Sequence, residues 1–160
     1  MTPGRTENDS TKLLGILALG ITFLSFTSDK SKKPVLPVKG KVISPFGDRK
    51  HPITHLVEFH NGVDLTASDG TPVRSPWSGK VKAANVSEKG GNQIIILHNN
   101  GYKTGYAHLQ KGLVNIGDKV RKGKIFAYTG HTGKVTEPHL HFTVTDPSGT
   151  KIDPETLFDF

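Results

Sequence analysis

The sequence has no cysteine, one methionine and one tryptophan among 160 residues. Without thiols there is no disulfide framework and no thiolate ligand, so any metal must be held by histidine and carboxylate. The sequence also lacks a helix-period apolar stretch of useful length, an internal repeat and a low-complexity segment, which sets aside helix bundles and solenoids. In their place stand 18 glycines, 10 prolines and short apolar runs between turn residues, the pattern of a sheet-rich fold. Acidic residues are scarce, 14 against 21 lysines and arginines, for a net charge of +7. Arg5 and Lys12 cancel Glu7 and Asp9, so all of that excess lies after residue 28. A basic surface suits an anionic polymer as partner. No recognised motif or interleaving of aromatic and basic residues supports nucleic acid, which is not expected as a partner.

The N-terminal dozen residues are polar, and residues 13–26 then run without a charge. At about 14 residues this stretch matches the apolar region of a signal peptide better than a span of ~20. Residues 1–28 are read as an export signal or, if retained, a membrane anchor that tethers the chain through 13–26. Lys30, Lys32, Lys33, Pro34 and Pro37 mark residues 29–37 as a linker. One domain, 38–160, follows, and its length suffices to bury a core.

Within it, residues 38–52 read as a short strand and a turn-rich loop, and 53–59 as a second loop. Strands are expected at 73–75, 79–85, 93–99, 102–108, 124–128 and 139–145, separated by Gly, Asn and Asp turns. Short strands at this spacing predict an all-β domain of antiparallel sheets, a sandwich or barrel.

The chemistry gathers around Pro138-His139-Leu140-His141-Phe142. On a strand, His139 and His141 share one face, roughly 6.5–7 Å apart along the backbone. His60-Asn61-Gly62-Val63-Asp64 and Tyr106-Ala107-His108 supply two more imidazoles and a carboxylate. Catalytic zinc takes three protein ligands and keeps a fourth position for water. His60, Asp64 and one of His139 or His141 make such a set, with Gly62 letting the chain turn sharply between the first two. The remaining imidazoles, His108 and the other member of the pair, are candidates for proton transfer and oxyanion stabilisation. The sequence does not divide these roles further. His51, His55, His98 and His131 are expected in loops or at the surface, with His131 near the groove; Trp77 is expected to be a packing anchor, and Asp48 and Arg49 turn residues.

The ordered series Ser44-Pro45-Phe46-Gly47-Asp48-Arg49, His51-Pro52, His60 to Leu65, Gly70-Thr71-Pro72-Val73, Gly90-Gly91-Asn92-Gln93, Tyr106-Ala107-His108-Leu109 and Pro138 to Phe142 resembles the successive motifs of the lysostaphin/LytM-type zinc endopeptidases. The likeness covers roughly residues 38–155. It implies a β-sheet groove, one zinc per chain on His60, Asp64 and His141, and His108 and His139 beside the catalytic water and oxyanion. It also implies that the substrate is the peptide part of peptidoglycan and that the chain works outside the cytoplasm, in the periplasm or cell envelope, free or held at the inner membrane, or secreted. Two positions depart from the family pattern: Glu137 stands where a small residue usually precedes Pro, and Thr143 where an acidic residue often follows Phe. All five positions that carry chemistry are intact, which weighs against the other reading of the same fold, a catalytically silent wall-binding or amidase-activating module.

Overall fold

The computed structural model describes residues 33–50 and 55–160; the apolar run at 13–26 and His51 lie outside them. Twelve strands follow one another: β1 (Val42–Ser44), β2 (Gly47–Lys50), β3 (Val57–His60), β4 (Val63–Thr66), β5 (Pro72–Arg74), β6 (Gly79–Ser87), β7 (Gly91–His98), β8 (Lys103–Gly112), β9 (Lys119–Val120), β10 (Ile125–Thr129), β11 (His139–Thr145) and β12 (Lys151–Ile152). A 3-10 turn at Pro154–Thr156 is the one helical piece among the described residues. The fold is therefore all-β, as the turn spacing predicts.

Ten strands form one antiparallel sheet whose main path runs β1-β4-β11-β8-β7-β6-β9, with β10 joined to β5 and β8, and β12 to β11. The remaining two, β2 and β3, pair only with each other. This ribbon corrects the sequence reading, which has 38–52 as a short strand followed by a turn-rich loop and 53–59 as a second loop. Gly47, Asp48, Arg49 and Lys50 carry no apolar alternation, and the ribbon is held by ladder hydrogen bonds to Val57–His60 instead of by burial. The end of the expected linker also lies against the domain: the Val35 amide donates to the Pro76 carbonyl and Pro37 is buried.

Alternation along β11 decides the layout of the molecule. Leu140, Phe142 and Val144 are fully buried, so His139, His141, Thr143 and Thr145 face the other side of the sheet. The core behind the sheet centres on aromatic edges: Tyr106 meets Phe126 at 4.7 Å and Phe142 at 5.5 Å, and Phe142 meets Phe158 at 5.2 Å. Such contacts add to the area term of roughly 25 cal/mol per Å² of apolar surface. Trp77 is a packing anchor, stacked on Tyr102 and edge-on to Phe158.

One expected surface residue belongs to this core. His98 is 2% exposed, because β7 turns it inward beside Trp77. Its Nδ1–H donates to the Trp77 carbonyl at 3.1 Å, and its Nε2 lies 2.6 Å from the Thr104 hydroxyl, which is 2.8 Å from the Tyr106 hydroxyl. Both ring nitrogens of His98 and the hydroxyls of Thr104 and Tyr106 are thus partnered, which is what makes a buried imidazole tolerable here.

Burial pushes the His98 imidazole down from 6.5 to about 4, against the pull of the Trp77 carbonyl toward the charged ring. Between those values the unfolded chain binds a proton at His98 that the folded chain does not. Stability is expected to fall by about 1.4 kcal/mol per pH unit as pH drops from about 6.5 to about 4, and to level off below that on this account. Urea unfolding of the parent and a His98→Leu chain across this range checks it. The variant should start about 2 kcal/mol less stable, with the Trp77 and Thr104 groups unpaired, and should lose this part of the pH slope. Parallel slopes would remove His98 as its cause.

Candidate active site

Asp64 on β4 and His141 on β11 are direct cross-strand partners, so the sheet register alone puts a carboxylate beside an imidazole. His60 ends β3, and two residues separate it from the start of β4. The connection is tight for a reason other than the expected turn. A Cβ on Gly62 would sit 2.4 Å from the Phe142 carbonyl oxygen, so glycine is needed for the close approach of this corner to β11.

The three donor atoms converge. Asp64 Oδ1 lies 2.8 Å from His141 Nδ1 and 3.2 Å from His60 Nε2, and the two ring nitrogens are 3.0 Å apart. Tetrahedral zinc with bonds of ~2.0–2.1 Å spaces its donors by roughly 3.3 Å, and two imidazoles with one carboxylate are a donor set it accepts. His60, Asp64 and His141 therefore form a metal-binding group into which such a cation fits. Burial works against charge on Asp64, but hydrogen bonds from His141 and His60 and their positive charge outweigh it. The carboxyl is held well below the usual carboxylate range.

The four imidazoles share one device. His60 donates Nδ1–H to the Pro45 carbonyl at 2.8 Å, and His141 donates Nε2–H to Asn61 Oδ1 at 3.2 Å. His108 donates Nδ1–H to the Thr132 carbonyl, and His139 donates to the Glu137 carbonyl, both at 2.9 Å. Each ring ties its outer nitrogen to an oxygen and leaves the inner one to the site; at His60 and His141 that inner nitrogen meets Asp64 and would give its lone pair to a metal. Glu137 thus contributes its backbone and not its exposed carboxylate.

His108 reaches the site through a local irregularity. Ala107 faces the open side of β8 opposite His141, so strict alternation would turn His108 into the core. Its φ of +59° breaks the alternation. Four residues of β8, Tyr106 to Leu109, span what three residues of β7, Asn92 to Ile94, span opposite, so β8 carries the extra residue of a bulge. Tyr106 and Leu109 both stay in the core while His108 swings into the groove. The loop that supplies the Thr132 carbonyl is seated on the Gly90-Gly91 turn; a Cβ on Gly133 would meet Gly91 N at 2.4 Å. Burial lowers the pKa of His108, the Thr132 carbonyl opposes this, and positive charge on His139 and His141 reinforces it, so the ring is neutral near pH 7.

These side chains line a groove of about 830 Å³. Arg49, Glu58 and Phe59 of the β2–β3 ribbon form one wall, and Lys89, Gln93 and Lys134 the other. Arg49 is a strand residue, not the turn residue expected: its Nη1 stands 3.5 Å from Asp64 Oδ2 while donating to Ser44 Oγ at 2.6 Å. One carboxylate oxygen thus faces the imidazoles and the other a guanidinium. Arg49, Asn61, Pro45 and Thr132 act on the site without a signal in composition or periodicity. Pro45, Arg49 and Asn61 fall within the motif series of the family resemblance, which is the one signal that marks them. His131 pairs with Asp69 at 2.7 Å and does not line the groove, and His55 is exposed.

The family model described as Peptidase family M23 matches residues 58–154. A relative in Vibrio cholerae named peptidoglycan DD-endopeptidase ShyB is 43% identical over 115 residues, which are 71% of this chain and 27% of that protein. The chain spans about a quarter of the length of the curated relatives it matches. A solved zinc-containing peptidase from Vibrio cholerae has a TM-score of 0.68 at 41% identity, covering 76% of this chain and 37% of that one. The catalytic domain of the antimicrobial peptidase lysostaphin from Staphylococcus simulans gives 0.64 at 36% identity, covering 73% of this chain and 90% of that one. The family match takes in more than half of the sequence and includes His60, Asp64, His108, His139 and His141, so the chain belongs to peptidase family M23.

Proposed function

We propose that this chain is a zinc endopeptidase that hydrolyses peptide bonds in the stems or cross-links of bacterial peptidoglycan, with one zinc held by His60, Asp64 and His141. The observation that carries the reading is the common orientation of four imidazoles, each with its outer nitrogen tied to an oxygen and its inner one turned to a single site. The relatives supply the substrate: ShyB is a peptidoglycan DD-endopeptidase. On this reading the protein works outside the cytoplasm, in the cell envelope, with residues 13–26 as export signal or retained anchor.

Zinc, when bound, supplies Lewis-acid polarisation of the scissile carbonyl and acidification of the attacking water. The protein's own residues do the rest. Asp64 stays ionised, and Arg49 holds its second oxygen away from the site. His108 and His139 stand with ring centroids 4.7 Å apart beside the ligand group. One of them takes the proton of the attacking water on its inner nitrogen and delivers it to the leaving amine; the other steadies the charge that develops on the carbonyl oxygen. The β2–β3 ribbon and the Lys89–Lys134 wall hold the peptide extended between them.

Digestion of purified peptidoglycan by the full chain, with metal content measured in parallel and fragments identified by mass spectrometry, tests this. The expected result is one zinc per chain and new peptide termini that a chelator abolishes. One zinc with no new termini on several wall types would replace the enzyme with a silent wall-binding or activating module.

A further inference from the structure

The open face of the sheet does not end at the groove. Strand register places Lys119 of β9 opposite Lys80 of β6, Lys80 opposite Leu97 of β7, Leu97 opposite Lys103 of β8, Lys103 opposite Thr145 of β11, and Thr145 opposite Lys151 of β12. Directly opposed residues project from the same face. Four lysines therefore lie in one line across the sheet, roughly 24 Å long at ~4.8 Å per strand. All four are exposed. Thr145 shares its face of β11 with His141, four residues back, so the row crosses ~13 Å from the metal-binding group. Between them the floor is low, made by Gly105 opposite Thr143.

Ordinary explanations for exposed strand lysines do not cover this row. Edge protection applies to a short outer strand such as β9, but Lys80 and Lys103 sit on strands paired on both sides. Among the described residues the ion pairs of basic side chains with carboxylates engage Lys33, Arg49, Lys134 and histidines, and none of these four lysines. Asp118 and Asp146, which adjoin Lys119 and Thr145 in sequence, are hydrogen-bonded within their own turns, Asp118 accepting from the Asn115 amide and Asp146 from Ser148 and Thr150. Lys80 and Lys119 face each other directly, an arrangement that costs stability unless an anion lies between them.

We propose that this row holds the free carboxylates of a neighbouring stem peptide on the same wall polymer whose other stem occupies the groove. The inference rests on the peptidoglycan reading of the groove. Charge complementarity selects an anionic partner, and continuity of the open sheet face with the groove selects the substrate polymer itself. The row accounts for four charges of the chain's basic excess and gives them a function the catalytic groove does not use.

The test compares retention of the full chain on purified peptidoglycan sacculi, in a His139→Ala background that leaves the polymer uncut. A chain with Lys80→Gln, Lys103→Gln, Lys119→Gln and Lys151→Gln is expected to bind about 10-fold or more weakly at low ionic strength, a difference that closes toward ~1 M salt. Amidating the stem carboxylates should weaken the parent by a similar factor and the four-site variant hardly at all. With His139 intact, the variant should cut a short soluble cross-linked peptide, which fills only the groove, as fast as the parent. Its Tm should not fall, since the Lys80–Lys119 repulsion is relieved, and Lys103→Gln alone should give a smaller loss of the same sign. Retention unchanged by the four substitutions, or by amidation, overturns the proposal. So does a loss seen only on sacculi that still carry phosphate polymers, which would assign the row to phosphate. Row-dependent binding by a chain that cuts no wall at all would refute the endopeptidase reading while the row stands; normal cutting with unaltered retention would refute the row alone.

Discussion

Asp64→Ala and His141→Ala chains are expected to come through purification without the one zinc per chain expected of the parent. The argument is geometric. Asp64 Oδ1 is the atom to which both ring nitrogens converge, at 2.8 and 3.2 Å, and it is the only anionic donor in the group. Removing it leaves two imidazoles beside the Arg49 guanidinium, a cation with no carboxylate left to meet. Removing His141 takes one of the two nitrogen donors and frees the Asn61 amide that held it. Changing a partner outside the ligand shell costs ~10–100-fold in metal affinity, and losing a ligand should exceed that. Metal analysis by mass spectrometry after dialysis reads the outcome directly. Full zinc in the Asp64 variant would overturn the ligand assignment, whatever the activity.

His108→Asn and His139→Ala should behave in the opposite way, keeping one zinc per chain and losing about 10²-fold or more in kcat, as expected for removal of a proton-transfer or oxyanion partner. Neither residue is in the converging group, yet both stand against it: Nε2 of His139 is 3.8 Å from Asp64 Oδ1, and the His108 ring centroid is 6.2 Å from that of His141. Asparagine is the better probe at 108, because the backbone there has φ +59°. Asparagine visits that region readily, whereas a residue with a plain Cβ pays roughly 1–2 kcal/mol. A rate loss in His108→Asn with unchanged zinc and unchanged unfolding midpoint isolates the ring from the bulge that carries it. Loss of zinc from both variants would mean that they belong to the ligand shell, and wild-type rates would remove them from the chemistry.

Much of this was legible in the chain of letters. Period-two alternation through 139–145 and the Gly and Asn turns located β6, β7, β8, β10 and β11 within a few residues, since each strand buries one face and the sequence must show it. The short strands β9 and β12 were not legible, because two residues carry no period. Nor was the β2–β3 ribbon, whose exposed Val57 and Phe59 break the rule that apolar residues mark a core. His98 was misread for the complementary reason: a histidine beside an Asn-Asn-Gly turn looks like surface, and only the Trp77 carbonyl and Thr104 hydroxyl, brought in from elsewhere, make it a core residue.

The sequence by itself determined that the domain is a sheet without disulfides, that only histidine and carboxylate could hold a metal, and that His139 and His141 share a face. These follow from composition and from a period that every strand obeys. Tertiary structure decided which histidines meet. Asp64 faces His141 only because β4 and β11 pair in that register, and His108 turns to the groove only because β8 has one residue more than β7 across it. It also decided that Lys80, Lys103, Lys119 and Lys151, scattered through the chain, form one line. Register is set by the sum of all packed pairs, and no local stretch of sequence contains that sum.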